Sequence, residues 1–82
     1  MIHKDEYPLY MVEYRKGKHS WFVSYQTALE YAEFVCKDYA YSTGNFVNIY
    51  GVVDEVRDIF DLIGQLDCET KQLNNDVTIL AN

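Results

Sequence analysis

The chain has 82 residues, 49% of them hydrophobic, and a formal net charge of −6 at pH 7. This length predicts one domain spanning residues 1–82, with a core so small that such chains often gain stability from disulfides, a metal or a partner subunit. No apolar run approaches the roughly 20 residues of a membrane-spanning helix, and the sequence contains no internal repeat.

Most of the negative charge lies in the last third of the chain. Residues 54–82 hold seven acidic and two basic side chains, which accounts for −5 of the total of −6. Such a segment repels phosphate and favours a partner with a basic surface. The simpler alternative is that the charge only prevents aggregation.

Aromatic residues are abundant for a chain of this size. Eight tyrosines, four phenylalanines and one tryptophan make 13 rings. Because so small a fold has little interior, we expect several tyrosines at the surface, where a stiff apolar ring with a polar tip suits contact with another macromolecule. The composition therefore favours binding over catalysis.

The first predicted element is a β-hairpin over residues 7–25, with strands at 7–15 and 20–25 and a glycine-containing turn between them. Alternation places Tyr10, Val12 and Tyr14 on one face of the first strand and Leu9 and Met11 on the other. Two arrangements remain open. Either the first set forms an apolar patch on the open face of the sheet, together with Phe22, or the first set lies in the core.

A helix is predicted over residues 27–41, with Ser24 or Thr27 as its cap and Thr27 and Glu30 spaced as a capping box. Apolar residues recur at three- and four-residue steps, as a helix packed on one face requires. The stripe consists of Ala28, Leu29, Ala32, Val35, Cys36 and Tyr39. Tyr31 falls on the flank of this stripe.

The predictions for the second half of the chain leave alternatives open. Residues 46–53 are typical of a strand, in which Gly51 indicates a bulge or a close neighbour. Residues 54–66 favour a helix, because apolar residues recur at helical spacing between Asp54 as a cap and Gly64 as a stop. A strand over residues 52–63 is the alternative. A loop at 67–76 and a short closing strand at 77–80 complete the prediction.

These elements predict an α+β fold in the order β-β-α-β-α-β. An antiparallel sheet built on the N-terminal hairpin would carry one or two helices on one face.

No catalytic or metal-binding constellation is recognisable. The two histidines, His3 and His19, fall near the chain start and in the hairpin turn, far in sequence from Cys36 and Cys68. Zinc sites need about four such ligands at close spacing, so we expect no metal and no cofactor. Two cysteines are too few for a disulfide scaffold and are interpreted as free thiols in a reducing cytosol. We therefore expect a cytoplasmic, non-enzymatic protein.

The candidate binding residues fall into two sets, aromatic anchors and acidic side chains that attract a basic protein partner. The anchors are Tyr10, Tyr14, Phe22 and Tyr31. The acidic side chains are Glu55, Asp58 and Asp61. Another hypothesis is an accessory or structural protein whose open sheet face pairs with a second copy of itself.

The alternative of single-stranded nucleic-acid binding rests on the tip of the hairpin. Arg15, Lys16 and Lys18 lie close to Trp21, and basic side chains beside a stackable ring are typical of such sites. The net charge of −6 and the small size of the cluster argue against this alternative, because phosphate affinity requires many cationic contacts.

In overall character the chain resembles the small proteins that bacteriophages and prophages encode against host defences, anti-CRISPR proteins among them. The resemblance is carried by the length, the acidity, the tyrosine content, the hairpin followed by a capped helix at 27–41 and the lack of an enzymatic signature. It covers the whole chain and identifies no functional residue. It implies a stoichiometric inhibitor that occupies the surface of a host protein, such as a nucleic-acid-binding protein with a basic groove.

Overall fold

The computed structural model describes residues 3–15, 18–38 and 46–74. Its elements are β1 (Tyr10–Arg15), β2 (Lys18–Phe22), α1 (Tyr25–Asp38), β3 (Phe46–Asp54), β4 (Ile59–Asp67) and β5 (Leu73–Asn74). The strands form one antiparallel sheet in the order β2-β1-β3-β4-β5. The predicted α+β class is therefore confirmed. Within the described ranges, no helix has the length and hydropathy needed to cross a membrane.

Helix α1 begins two residues earlier than predicted, and Ser24 is its cap. The Ser24 hydroxyl accepts a hydrogen bond from the backbone N–H of Thr27 at 3.2 Å, while the Ser24 carbonyl accepts one from Ala28. Ala28 and Ala32 are fully buried against the sheet. Their small side chains let the helix lie close to the strands it contacts. The predicted apolar stripe is confirmed from Ala28 to Cys36, whereas Tyr39 and the predicted helix end at 39–41 lie outside the described residues.

The structure decides which face of the hairpin meets the helix. Tyr10 and Val12 are 1% and 0% exposed and belong to the core beneath α1, whereas Met11 points to the other side. The predicted role of Tyr10 as a surface anchor is therefore wrong. Its ring is inside the protein, and its hydroxyl donates to the backbone carbonyl of Lys4 at 2.6 Å.

Residues 59–67 form strand β4, so the helix favoured for 54–66 is wrong. The alternative of one strand over 52–63 is also wrong, because β3 ends at Asp54 and a turn at 55–58 leads back into the antiparallel β4. The cause of the helix-like pattern is a one-residue bulge. Ile49 pairs with Gly64 and the next residue, Tyr50, pairs with Leu62, which leaves Ile63 as the extra residue. Because of this extra residue, Leu62 and Gly64 lie on opposite faces of the sheet although they are two positions apart. The apolar residues of this segment therefore recur at steps of three and four, which is also the spacing of a helix.

Tyr7 covers the part of the core at Gly51. A Cβ atom added at Gly51 would meet the Tyr7 ring carbons at 2.5–2.6 Å, so only glycine allows the ring to lie there. The Tyr7 hydroxyl donates a 2.6 Å hydrogen bond to Asp61, which pairs with Gly51 across the β3–β4 ladder. The close neighbour predicted for Gly51 is thus the ring of Tyr7.

A disulfide joins Cys36 of α1 to Cys68, the first residue after β4, with their Cα atoms 5.0 Å apart. Both cysteines are buried. The interpretation of the two cysteines as free thiols is therefore wrong, because the fold brings together residues 32 positions apart in sequence. The predicted loop at 67–76 contains the short strand β5. The strand predicted at 77–80 lies outside the described residues.

Candidate functional site

The candidate site is the face of the sheet opposite α1, which we call the open face. Directly opposed residues on antiparallel strands share a face, so the strand register defines successive rows of side chains across it. Val52 and Phe60 form the row nearest the β3–β4 turn. The following rows are Trp21, Met11, Tyr50 and Leu62; then His19, Glu13, Asn48, Gln65 and Asn74; and finally Phe46 and Asp67.

The two rows nearest the turn form an aromatic patch. The Phe60 ring centroid lies 6.3 Å from that of Trp21 and 6.4 Å from that of Tyr50. Met11 and Val52, which lie in the same two rows, are only 6% and 2% exposed although they are not part of the core under α1. The three rings therefore form a second, smaller apolar layer whose outer surface faces solvent.

Trp21 is 48% exposed, and Phe46, at the opposite end of the open face, is exposed to a similar degree. In the part of the chain that the structure describes, α1 packs against the other face of the sheet. Within the described ranges this aromatic surface is partly exposed, which is typical of a surface that contacts another macromolecule.

The third row is polar across all five strands and is centred on Glu13. Its Oε1 atom accepts hydrogen bonds from Asn48 Nδ2 at 3.5 Å and Tyr50 Oη at 3.3 Å. Its Oε2 atom lies 3.7 Å from His19 Nε2, an ion pair when that histidine is protonated. Gln65 Nε2 donates to Asn48 Oδ1 at 3.0 Å, which extends the network toward the far edge. These contacts hold the carboxylate in one place beside the aromatic patch.

The pKa of Tyr50 is raised above its ordinary value. Burial is the main cause, and the negative charge of Glu13 adds to it. The Tyr50 hydroxyl therefore remains a hydrogen-bond donor to Glu13 across the neutral pH range.

Three of the predicted anchors come together away from the open face. The Tyr31 ring lies 6.0 Å from Tyr14, 5.1 Å from Phe22 and 6.1 Å from Phe34. Tyr14, Phe22 and Tyr31 are half-buried and pack against the main core, while Phe34 on the helix is 47% exposed. We call these four residues the helix-edge cluster.

Two of the three predicted acidic residues lie in the β3–β4 turn and the third, Asp61, lies in β4, so none of them is on a helix. Glu55 and Asp58 are exposed in this turn, and Asp58 has the left-handed backbone value φ 56°. Asp54 accepts a hydrogen bond from the Arg57 backbone N–H at 3.2 Å and so closes the turn. Asp61 is held by Tyr7, as described above, and belongs to the packing of the fold. Glu55 and Asp58 thus lie beside the aromatic end of the open face.

The basic hairpin tip is described in part. Arg15 ends β1 and Lys18 begins β2, while Lys16 lies outside the described residues. Trp21, which was grouped with them, lies in the aromatic patch. Its nearest acidic neighbour on the open face is Glu13, and a carboxylate at that place opposes phosphate.

A separate pocket of about 370 Å³ lies between α1 and the end of β4. The disulfide forms part of its wall. Its lining residues are Leu29, Glu33, Cys36, Lys37, Leu66, Lys71 and Leu73. Cys36 cannot act as a nucleophile there while it is oxidised, and the described residues contain no group of three metal-ligating side chains.

The sequence pattern missed the main residues of the open face. Tyr50, Phe60 and Glu13 were not among the predicted contact residues, and Trp21 was assigned only to the nucleic-acid alternative. The available signal was the alternation within 46–53, which separates Asn48 and Tyr50 from Val47 and Ile49. Phe60 gave no comparable signal because of the bulge in β4.

Comparison with protein-family models, curated proteins and solved structures finds no match for this chain.

Proposed function

We propose that this protein is a non-enzymatic binding module that docks on another protein through the open face of its sheet. The observation that carries the proposal is the aromatic patch, in which Trp21 is exposed, Tyr50 and Phe60 are half-buried, and two apolar residues of the same rows are buried. Large rings of this kind are the usual anchors of protein interfaces, because they bury much apolar area at low entropic cost.

The charge around the patch defines the partner. Glu55 and Asp58 are exposed at the turn beside it, Glu13 lies in the adjoining row, and the chain carries −6 in total. Complementary charge accelerates encounter and excludes wrong partners. The partner surface is therefore basic, with an apolar centre that meets the rings.

A stoichiometric inhibitor encoded by a phage or prophage and directed at a host defence protein remains our proposal for the biological role. It rests on the resemblance in size, acidity and tyrosine content. A host protein with a basic nucleic-acid groove would match the acidic rim by charge. A cytoplasmic location belongs to the same proposal, although the buried disulfide removes the argument from free thiols and is more common in oxidising compartments.

Capture from a host lysate tests the docking face when variants are compared. We would immobilise wild-type protein, the Trp21→Ala/Phe60→Ala double variant and Phe34→Ala. Phe34 is a matched control because it is 47% exposed, close to the 48% of Trp21, but lies in the helix-edge cluster.

We expect the double variant to lose the captured partner and Phe34→Ala to retain it. If only Phe34→Ala lost the captured partner, the interface would lie at the helix-edge cluster, which would contradict the proposal. Capture that neither variant reduces would exclude both aromatic surfaces. Circular dichroism of each variant confirms that the fold is intact before the comparison.

Self-association through the same face is the second candidate, since a C2 dimer would cover both aromatic patches. The matching charges of −6 on each copy oppose it. Light scattering over a range of protein concentrations separates the candidates. A monomer at high concentration excludes the dimer, and a dimer that Trp21→Ala dissociates supports it.

A further inference from the structure

We infer that the open face carries a receptor for one arginine side chain of the partner, formed by the Trp21 ring and the Glu13 carboxylate. This inference rests on the proposed function and specifies the central contact of the same face. Four features of the structure and its ligand lead to this inference: the placement of the two side chains, the restricted position of Glu13, its accessibility and the shape of a guanidinium group.

The first feature is placement. Trp21 pairs with Met11, and Glu13 follows Met11 by two residues on the same face of β1. Diagonal neighbours of this kind have Cα atoms about 7–8 Å apart. The two residues thus lie on neighbouring strands of one face, so that a single long side chain laid along the open face can contact both.

The second feature is preorganisation. Glu13 receives hydrogen bonds from Asn48 and Tyr50 on one oxygen and contacts His19 with the other. All three neighbours extend from adjacent strands of the rigid sheet. Because these neighbours restrict where the carboxylate can lie, its binding to a partner costs less side-chain freedom than binding of an unrestrained glutamate would.

The third feature is accessibility. The Glu13 side chain retains 31% of its accessible surface and that of His19 retains 37%. The contacts of Glu13 with Asn48 and Tyr50 are long, at 3.5 and 3.3 Å, so the oxygens keep capacity for a stronger charged donor.

The fourth feature is the shape of the ligand. Guanidinium is planar, stacks on aromatic faces and donates two parallel hydrogen bonds to a carboxylate. The ammonium group of lysine is attracted to the indole ring and to the carboxylate, but it has no planar surface that stacks on the ring. The receptor is therefore expected to prefer arginine to lysine, which a general attraction between opposite charges would not produce.

The experiment uses the full chain and end-blocked peptides of four arginines, four lysines or four glutamates. Trp21 is the only tryptophan of the chain, so its fluorescence reports occupation of the site, and calorimetry gives the affinity. We expect saturable binding of the arginine peptide, weaker binding of the lysine peptide and no binding of the glutamate peptide. Equal affinity for arginine and lysine would overturn the inference.

Two variants that change the net charge by the same amount distinguish binding at this site from general electrostatic attraction to the protein. Glu13→Gln keeps an acceptor oxygen for Asn48 and Tyr50, whereas Glu30→Gln removes a charge from the exposed surface of α1. We expect Glu13→Gln to weaken arginine-peptide binding by roughly tenfold, as loss of a charged hydrogen-bond pair implies, and Glu30→Gln to leave it unchanged. An equal loss in both variants would overturn the inference.

The captured partner distinguishes failure of this inference from failure of the proposed function. If binding of the partner depends on Trp21 and Phe60 but not on Glu13, the proposed docking face is supported and the inferred arginine receptor is overturned. Peptide binding that depends on Glu13, with no partner dependent on the open face, supports the receptor and contradicts the proposed docking of a protein.

Discussion

The rings of Trp21 and Phe60 lie 6.3 Å apart although two strands, β1 and β3, separate the strands that carry them. Both side chains therefore lean over the sheet toward each other. Met11 and Val52, in the same rows, are almost fully buried as a consequence. The open face is thus a preformed aromatic surface rather than a set of isolated exposed rings.

Removing Phe60 should expose Trp21 further. In Phe60→Ala we expect the tryptophan emission to move to longer wavelength and its quenching by acrylamide to increase, because one side of the indole loses its neighbour. Phe34→Ala is the control and should leave both quantities unchanged. An unaltered emission spectrum in Phe60→Ala would mean that the two rings do not pack together.

The packing of Tyr7 on Gly51 predicts a difference between two glycine substitutions. Gly51→Ala should destabilise the fold by about 1–3 kcal/mol, because the new methyl group overlaps the Tyr7 ring. At Gly64 the nearest atom to an added Cβ is the Tyr25 hydroxyl oxygen at 3.2 Å, and that ring tip can move. Gly64→Ala should therefore cost less. Urea unfolding compares the two variants, and equal losses would contradict the assigned position of Tyr7.

The sequence predicted the existence of the hairpin and the helix because their patterns are local, but the second strand runs over Lys18–Phe22 rather than 20–25, and Tyr25 begins α1. The stripe through Ala28, Ala32 and Val35 follows a single helical period, and a suitable cap residue precedes it. The pattern of residues 54–66 depends on a bulge at Ile63, which arises only when β4 pairs with β3. No local rule contains that information.

The sequence predicted that the site contains aromatic rings, but it did not predict which rings form it. The aromatic content led us to expect several tyrosines at the surface, but every tyrosine in the described part of the chain is buried or half-buried. The exposed rings there are those of Trp21, Phe34 and Phe46, because the face of the hairpin that meets the helix decides which rings remain outside. Tyr10 fits either face by alternation alone, and the packing of α1 on its side of the sheet determines that it is buried. The disulfide was missed for a similar reason, because the proximity of Cys36 and Cys68 is a property of the folded chain.

The disulfide should contribute strongly to stability. Closing a loop of 32 residues between Cys36 and Cys68 restricts the unfolded chain by about 3–4 kcal/mol in the chain-entropy account. We expect a reducing agent to lower the urea midpoint of the wild-type protein. The Cys36→Ala/Cys68→Ala variant should start at a low midpoint and not respond to the reducing agent. A wild-type midpoint that reduction leaves unchanged would contradict this contribution.

Alkaline pH should destabilise the fold through its tyrosines. Burial is the main cause that raises the pKa values of Tyr7, Tyr10, Tyr25 and Tyr50 in the folded state. Tyrosines of the unfolded chain titrate near pH 10. Since the folded pKa values are higher, this contribution to stability is complete below about pH 10 and is lost as the pH rises through the folded values.

Urea unfolding from pH 8 to pH 11 measures that loss. Tyr7→Phe is the informative variant because it removes one buried phenol and its hydrogen bond to Asp61. It should be less stable than the wild type at pH 8 and should lose less stability between pH 10 and pH 11. Parallel pH profiles for the two proteins would show that Tyr7 does not titrate with a raised pKa.

Fluorine NMR of Trp21 tests the docking role of the open face most directly. Protein labelled with 5-fluorotryptophan gives one resonance, because the chain has one tryptophan. On addition of the unlabelled captured partner, we expect this resonance to shift or broaden, and the arginine peptide should shift it in competition with that partner. A partner that binds at equal stoichiometry while the Trp21 resonance stays unchanged would contradict docking through this face.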